Sequence, residues 1–293
     1  MLKTRFRLKH ATVLIACFLL ALWVAGCAQE PAPKSSSAGK NADVAGKSAV
    51  SETKEFDPAV YKNNDFLITP QELKGMLGTD ELALFDCDKP DVYAKEHIPG
   101  AVGIGLHAFS DKVGKPGDPG WGTVMDKADL KKALEALGID NDKTVVFYSD
   151  VFQGPGADGR AVWQLRFAGM DNVKFLVGGL SHWKELGYDV TSEPAQPKPT
   201  TGVELKDYDK SNVATKTYVS DNLGKQVVLD VRTEGEYKGS QKAGEPRGGH
   251  IKGAQWMLWL DLLNKDGTPK TSDEITKIMA SYGVSPEDDF VLY

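Results

Sequence analysis

Short, unbroken apolar runs punctuate this chain. They are Leu82-Ala83-Leu84-Phe85 ahead of Asp86, Val145-Val146-Phe147-Tyr148 after Thr144, Val173 to Val177 around Lys174, Val227-Val228-Leu229 ahead of Asp230, and Val291-Leu292-Tyr293. Runs of that length bounded by turn residues fit strands buried on both faces. Amphipathic stretches lie between them. Lys127 to Leu137 places Leu130, Leu134 and Leu137 on one helical face and stops at Gly138, the residue type that most often follows a helix end. Arg160 to Phe167 predicts a second helix, and Gly178-Gly179-Leu180-Ser181-His182-Trp183 a turn into a short third. Thr69-Pro70-Gln71-Glu72 has the order of a helix start, with Thr69 as the cap and Pro70 in the first turn. Strands alternating with helices predict an α/β protein built on parallel sheet flanked by helices.

The order runs twice. Phe85-Asp86 matches Leu229-Asp230, and Glu96-His97-Ile98-Pro99-Gly100-Ala101 matches Gly249-His250-Ile251-Lys252-Gly253-Ala254. Gly138-Ile139 matches Gly283-Val284, and Val146-Phe147-Tyr148 matches Val291-Leu292-Tyr293. The expected division is a first domain over residues 56–192, a linker over 193–202 containing three prolines, and a second domain over 203–293. The loop, helix, strand and final helix that follow Tyr148 have no counterpart after Tyr293, so the expectation is a second domain that is truncated before its last elements.

Composition adds a location rather than a chemistry. A net charge of −6 argues against a nucleic-acid partner, which would need a basic face. Lys3, Arg5, Arg7 and Lys9 precede the apolar run Ala11 to Ala25, the layout of an export signal. Its end, Val24-Ala25-Gly26-Cys27, resembles the bacterial lipobox, which implies removal of residues 1–26, a lipid on Cys27 and attachment to a membrane of the cell envelope. The globular part would then stand outside the cytoplasm, on the outer membrane or the outer face of the inner one. Residues 27–55 are rich in Ala, Ser, Lys, Gly and Pro with almost no large apolar side chain, and read as a flexible tether. Cys17 falls in the discarded peptide, which leaves Cys87 alone in the globular part and no disulfide framework.

Asp230-Val231-Arg232, Glu236-Tyr237, the run Gly244-Glu245-Pro246-Arg247-Gly248-Gly249-His250-Ile251 and Gly253-Ala254 together resemble the tandem-domain rhodaneses, the thiosulfate and 3-mercaptopyruvate sulfurtransferases. Gly178-Gly179-Leu180-Ser181-His182-Trp183 resembles the same family's domain end. The resemblance implies two α/β domains, with the active site in a loop after the central strand of the second. There a cysteine thiolate, surrounded by loop N–H groups, takes the outer sulfur of a donor as a persulfide and passes it to a thiophilic acceptor. It implies a small sulfur-containing substrate, no organic cofactor and no metal.

The chain departs from that scheme in both halves. Ser149 occupies the nucleophile's position in the first domain, and a hydroxyl cannot form a persulfide; Asp150 and Asp158 in its loop would also repel an anionic donor. In the second domain the cysteine is expected immediately after Tyr293. Asp230, Arg232, Arg247 and His250 are the candidate supporting or substrate-contacting residues. The Asp230–Arg232 pair also reads as an ion pair bracing a strand end, and His97 and His250, in matching turns, as structural hydrogen-bonders. Glu236 stands where some family members carry a thiosulfate-contacting arginine. Cys87 reads as a buried, inert thiol, and Trp256 and Trp259 as packing residues. A competing reading is a non-catalytic binding module of the same fold at the cell envelope.

Overall fold

The computed structural model describes residues 56–118, 120–241 and 245–293. The export signal, Cys17, Cys27 and the tether lie outside the described residues.

The first unit is a five-stranded, all-parallel sheet in the order β1-β5-β4-β2-β3. Its strands are β1 (Leu67–Ile68), β2 (Leu82–Asp86), β3 (Val102–Gly103), β4 (Thr144–Tyr148) and β5 (Val173–Leu176). Its helices are α1 (Pro70–Met76), α2 (Pro90–Tyr93), α3 (Lys127–Ala136), α4 (Ala157–Phe167) and α5 (Gly179–Glu185). Side chains alternate across the sheet. Val145 and Phe147 of β4 and Phe85 of β2 join Leu130, Leu134 and Leu165 on one face. Val146, Tyr148 and Leu84 join Leu73, Leu180 and Trp183 on the other. Both faces are therefore dry, which is why the strands read as unbroken apolar runs. Thr69 caps α1 in a full capping box with Glu72. Helix α4 starts three residues before the expected Arg160, because its first turn, Ala157-Asp158-Gly159, hides from the apolar pattern a buried carboxylate and a glycine.

The second unit repeats the layout around a three-stranded parallel sheet, β7-β6-β8. It comprises α6 (Lys216–Asn222), β6 (Val228–Asp230), α7 (Glu234–Tyr237), β7 (Gln255–Trp256), α8 (Ser272–Ser281) and β8 (Val291–Leu292). The apolar run that follows Ala254 is a two-residue strand and then a 3-10 turn, Trp259–Leu262. Trp259 is buried in the larger core, whereas Trp256 is half-buried and donates its indole N–H to the Arg232 carbonyl at 2.9 Å.

The two units are in contact. Tyr61 shares its hydroxyl proton between the carbonyls of Pro269 (3.1 Å) and Lys270 (2.7 Å). The connection between the units is not a free spacer. His97 reaches the Glu193 carbonyl at 3.0 Å, the Thr200 N–H donates to the Glu135 carbonyl at 2.8 Å, Val203 is fully buried, and Lys206 N–H donates to Ala168 O at 2.9 Å. Polar atoms and one apolar anchor fasten this proline-rich segment along the first unit. Gly138 permits the closest approach: its φ is +75°, and a Cβ there would run into the Lys198 carbonyl oxygen. Gly138→Ala should therefore cost more than the ~1–2 kcal/mol of a left-handed alanine. Urea unfolding should show that loss, and limited proteolysis should show faster cleavage between residues 193 and 202.

Candidate functional site

In open parallel sheets the crevice beyond the strands' carboxyl ends is where ligands bind. The strands compared here are β4 with β8 and β2 with β6, and the two units build the ends of these strands from the same set of bonds. The Tyr148 hydroxyl accepts the Ile98 N–H at 2.9 Å, and the Tyr293 hydroxyl accepts the Ile251 N–H at 2.8 Å. Cys87 N–H donates to the Tyr148 carbonyl (2.8 Å) as Val231 N–H does to Tyr293 (3.0 Å). Tyr93 stacks on His97 with ring centres 3.9 Å apart, and Tyr237 on His250 at 3.8 Å. Each tyrosine also gives its hydroxyl proton to a turn carbonyl, Ala101 at 2.9 Å and Ala254 at 3.1 Å. Asp86 and Asp230 are both fully buried, and each accepts the N–H of the residue two ahead.

What the units place on this frame differs. In the first unit Ser149 follows β4, is fully buried, and donates its hydroxyl proton to Asp158 at 2.9 Å. The loop after it supplies its own anions. Asp88 accepts the Asp150 N–H at 2.8 Å, the Asp150 carboxylate accepts the Phe152 N–H at 3.0 Å, and the Asp150 carbonyl accepts the N–H groups of Gln153 and Gly154. These amides, the donors an anionic guest would need, are already taken. The charge is of one sign. Burial raises the Asp88 carboxyl to about 7, helped by Asp86, Asp158 and Asp150, against the Asp150 N–H that lowers it. Burial likewise raises Asp86 and Asp158. Cys87 is 2% exposed, and burial with Asp158, Asp86 and Asp88 pushes its thiol well above the ordinary range, which keeps it protonated and unreactive. Among the described residues no group of three or more His, Cys, Asp or Glu is placed to hold a metal ion.

In the second unit Arg232 occupies the position of Asp88. It makes a two-pronged pair with Asp230, Nε to Oδ1 at 3.0 Å and Nη2 to Oδ2 at 2.7 Å, and donates to the Gly249 carbonyl at 3.0 Å. Its guanidinium lies 5.3 Å from the centre of the Tyr293 ring. Burial with Asp230 raises the Tyr293 phenol to about 12. Glu236 is buried, caps α7 through Thr233, and stands 3.9 Å from Arg232. The structure thus brings Asp230, Arg232, Glu236 and Tyr293 together at the strand end. His250 sits beside them, its Nδ1 2.8 Å from the Tyr237 carbonyl. Arg247 is exposed on the surface of its loop and joins none of these contacts among the described residues. Sequence reading passed over Asp88; its signal was the contrast between Asp86-Cys87-Asp88 and Asp230-Val231-Arg232 in equivalent positions.

Two parallel-sheet α/β units with strand ends built alike define a tandem α/β protein. Comparison with known proteins gives its family. The rhodanese-like domain family matches residues 69–186. The chain is 31% identical over 240 residues to a probable 3-mercaptopyruvate sulfurtransferase of Pseudomonas aeruginosa, covering 78% of this chain and 83% of that protein. It is 29% identical over 241 residues to a thiosulfate sulfurtransferase of the same organism, covering 80% and 84%. The crystal structure of SseA from Escherichia coli, described as a 3-mercaptopyruvate sulfotransferase with the rhodanese fold, superimposes with a TM-score of 0.63 at 24% identity, covering 78% of this chain and 87% of that one. The chain belongs to the rhodanese family, whose members named here are sulfurtransferases.

The buried acids give a pH signature. Asp88 has a folded pKa of about 7, above the ~3.9 of an unfolded aspartate, so the native state holds the proton more tightly. Its stabilising contribution is fully present below pH ~4 and is lost as pH rises through ~7, and the raised Asp86 and Asp158 act in the same direction. Urea unfolding should give a free energy that declines from pH 4 to 7, and Asp88→Asn, which keeps an acceptor for the Asp150 N–H, should flatten that decline.

Proposed function

We propose that the intact protein is a sulfurtransferase whose chemistry belongs to the second unit. A cysteine immediately after Tyr293 would attack the outer sulfur of thiosulfate, or the sulfur of 3-mercaptopyruvate. The S–S or C–S bond to that sulfur breaks, sulfite or pyruvate leaves, and a persulfide remains for a thiophilic acceptor. The carrying observation is the pair of strand ends, alike bond for bond yet opposite in charge at one position. The first carries Asp88, with its loop amides spent on Asp88 and Asp150; the second carries Arg232, which neutralises Asp230. An anionic donor and a sulfur anion are disfavoured at the first and tolerated at the second. The first unit then serves as scaffold. The relatives' names supply the two donors, and sulfur transfer at large is what those relatives share.

The test is a thiosulfate:cyanide assay and a 3-mercaptopyruvate assay on the full-length protein, with the codons after Tyr293 read alongside. Thiocyanate or pyruvate should form, turnover should survive Ser149→Ala, and residue 294 should be cysteine. Aspartate or serine there with no product from either donor removes the proposal. The self-satisfied acidic loop at Ser149 favours a second reading, a non-catalytic binding module, and that negative result would support it.

We further propose that the protein is held at the bacterial cell envelope by lipid on Cys27, on the strength of the sequence Val24-Ala25-Gly26-Cys27. Among the described residues no helix is long and apolar enough to cross a membrane. Cys27→Ser should move the protein from the membrane fraction to the soluble one. Unchanged fractionation would refute the anchor.

A further inference from the structure

His97 and His250 stand in matching turns, and their rings share one set of contacts. Each lies flat on a tyrosine, Tyr93 or Tyr237, with ring centres 3.9 and 3.8 Å apart. Each places Nδ1 against that tyrosine's own carbonyl, at 2.7 and 2.8 Å. The second nitrogen separates them. His250 is exposed, and its Nε2 has no partner among the described residues. His97 is fully buried, and its Nε2 meets the Glu193 carbonyl at 3.0 Å, 96 positions along the chain.

A carbonyl oxygen only accepts, so each of these contacts needs a proton on the nitrogen. A neutral imidazole carries one N–H and one lone pair, and only the imidazolium carries two N–H groups. His97 therefore makes both bonds only in its charged form. In the neutral form one ring nitrogen turns a lone pair toward a carbonyl oxygen, and a buried acceptor is left without its donor. The Nδ1 bond is the shorter, lies within the turn, and recurs at His250. The Nε2 bond to Glu193 is the one that a neutral ring gives up.

Glu193 opens the proline-rich connection between the units. The backbone of Thr191 is fixed independently of the ring, since it exchanges two bonds of 2.8 Å with the backbone of His97. Beyond it, Glu193 N–H donates to the Thr191 hydroxyl at 3.0 Å, and Ala195 N–H donates to the Tyr93 hydroxyl at 3.1 Å. Both ties lie on the stretch that the ring's second bond holds down.

The charged and titratable groups around the ring come from each element packed on it. Asp86, at the end of β2, is fully buried, and positive charge on His97 lowers its carboxyl pKa against the burial that raises it. Asp86 is in turn coupled to Asp158 and Asp88. Tyr148 of β4 accepts the N–H of the next residue, Ile98, and Tyr93 of α2 covers one ring face. Glu96, the preceding residue, is paired with Lys184 of α5, and the side chains of Lys95 and Glu193 belong to exposed residues.

We infer that His97 is a pH-sensitive clasp on the connection between the two units: its imidazolium holds the Glu193 carbonyl against the turn, and loss of the Nε2 proton to solvent releases it. The ring keeps Nδ1–H on the Tyr93 carbonyl in both states, so the turn itself stays in place.

The test is NMR of the ring nitrogens of His97 and of the Glu193 carbonyl carbon in the full-length protein, from about pH 5 to about pH 8, where histidines change charge. Both nitrogens should carry protons at the lower pH. At the higher pH the ring should be neutral with its proton on Nδ1, and the Glu193 carbonyl should shift with the same midpoint. Cleavage between residues 193 and 202 by a protease active across this range should quicken about tenfold, the effect of losing one hydrogen bond to a charged group. His97→Gln should abolish that pH dependence. Asp88→Asn, which removes the neighbouring acid that titrates at about 7, should leave it in place, as should His250→Gln. A His97 ring that keeps one charge state throughout, or that becomes neutral with its proton on Nε2, overturns the inference. So does a ring that titrates while the Glu193 carbonyl stays still, or a cleavage response that survives His97→Gln. If His97→Gln does not fold, the wild-type resonances decide alone.

Discussion

The hydroxyl of one tyrosine at the end of β4, and of another at the end of its counterpart β8, fixes the geometry of everything around it. Tyr148 and Tyr293 reach past the strand end to accept the N–H of Ile98 and Ile251, the first amides of the turn that leads into the neighbouring strand. A buried amide without an acceptor costs about 1–3 kcal/mol, so the turn has one position in which it is satisfied. The stacked Tyr93–His97 and Tyr237–His250 pairs close the same turn from its other side. With the turn locked, the buried aspartate at the end of β2 or β6 has its second-next residue held at the lip of the sheet. In the first unit the side chain that stands there, Asp88, faces the loop after β4 and accepts its Asp150 N–H.

This frame explains what the sequence made legible. The strands were readable because both sheet faces are dry, and α1 because Thr69 and Glu72 cap it with a local pattern. The repeat was readable because the tyrosine, the aspartate and the His-Ile-x-Gly-Ala turn recur in order, and the Asp230–Arg232 ion pair because two residues two apart at a strand end suffice to specify it. Three features were hidden because they depend on long-range contacts. Asp88 meets Asp150 across 62 positions, Arg160 meets Ser110 across 50, and the proline-rich connection is tied down by carbonyls far from it in the chain. The early start of α4 was hidden for a different reason: an Asp-Gly pair carries no apolar signal even when it is buried.

Two copies of one frame inside one chain act as an internal control on electrostatics. Backbone path, tyrosine brace and buried aspartate are held constant, and the side chain two residues past that aspartate changes from carboxylate to guanidinium. At the first site Asp88 adds to Asp86, Asp150 and Asp158, and the result is a cluster in which burial raises carboxyl groups and a neighbouring thiol together. A nucleophile there would have to ionise against like charges in a medium that already disfavours ionisation. Cys87 demonstrates the outcome: a thiol does lie within this cluster, and it is held protonated. At the second site the same buried aspartate is paired with Arg232, which also stands 3.9 Å from the buried Glu236, so a cation lies between the two acids. Ser149 and the acids around it are therefore parts of one arrangement, the hydroxyl donating to Asp158 and the loop amides to Asp88 and Asp150. The loop after β4 binds the protein's own carboxylates through its amides, Asp88 accepting from Asp150 N–H and Asp150 from Phe152 N–H.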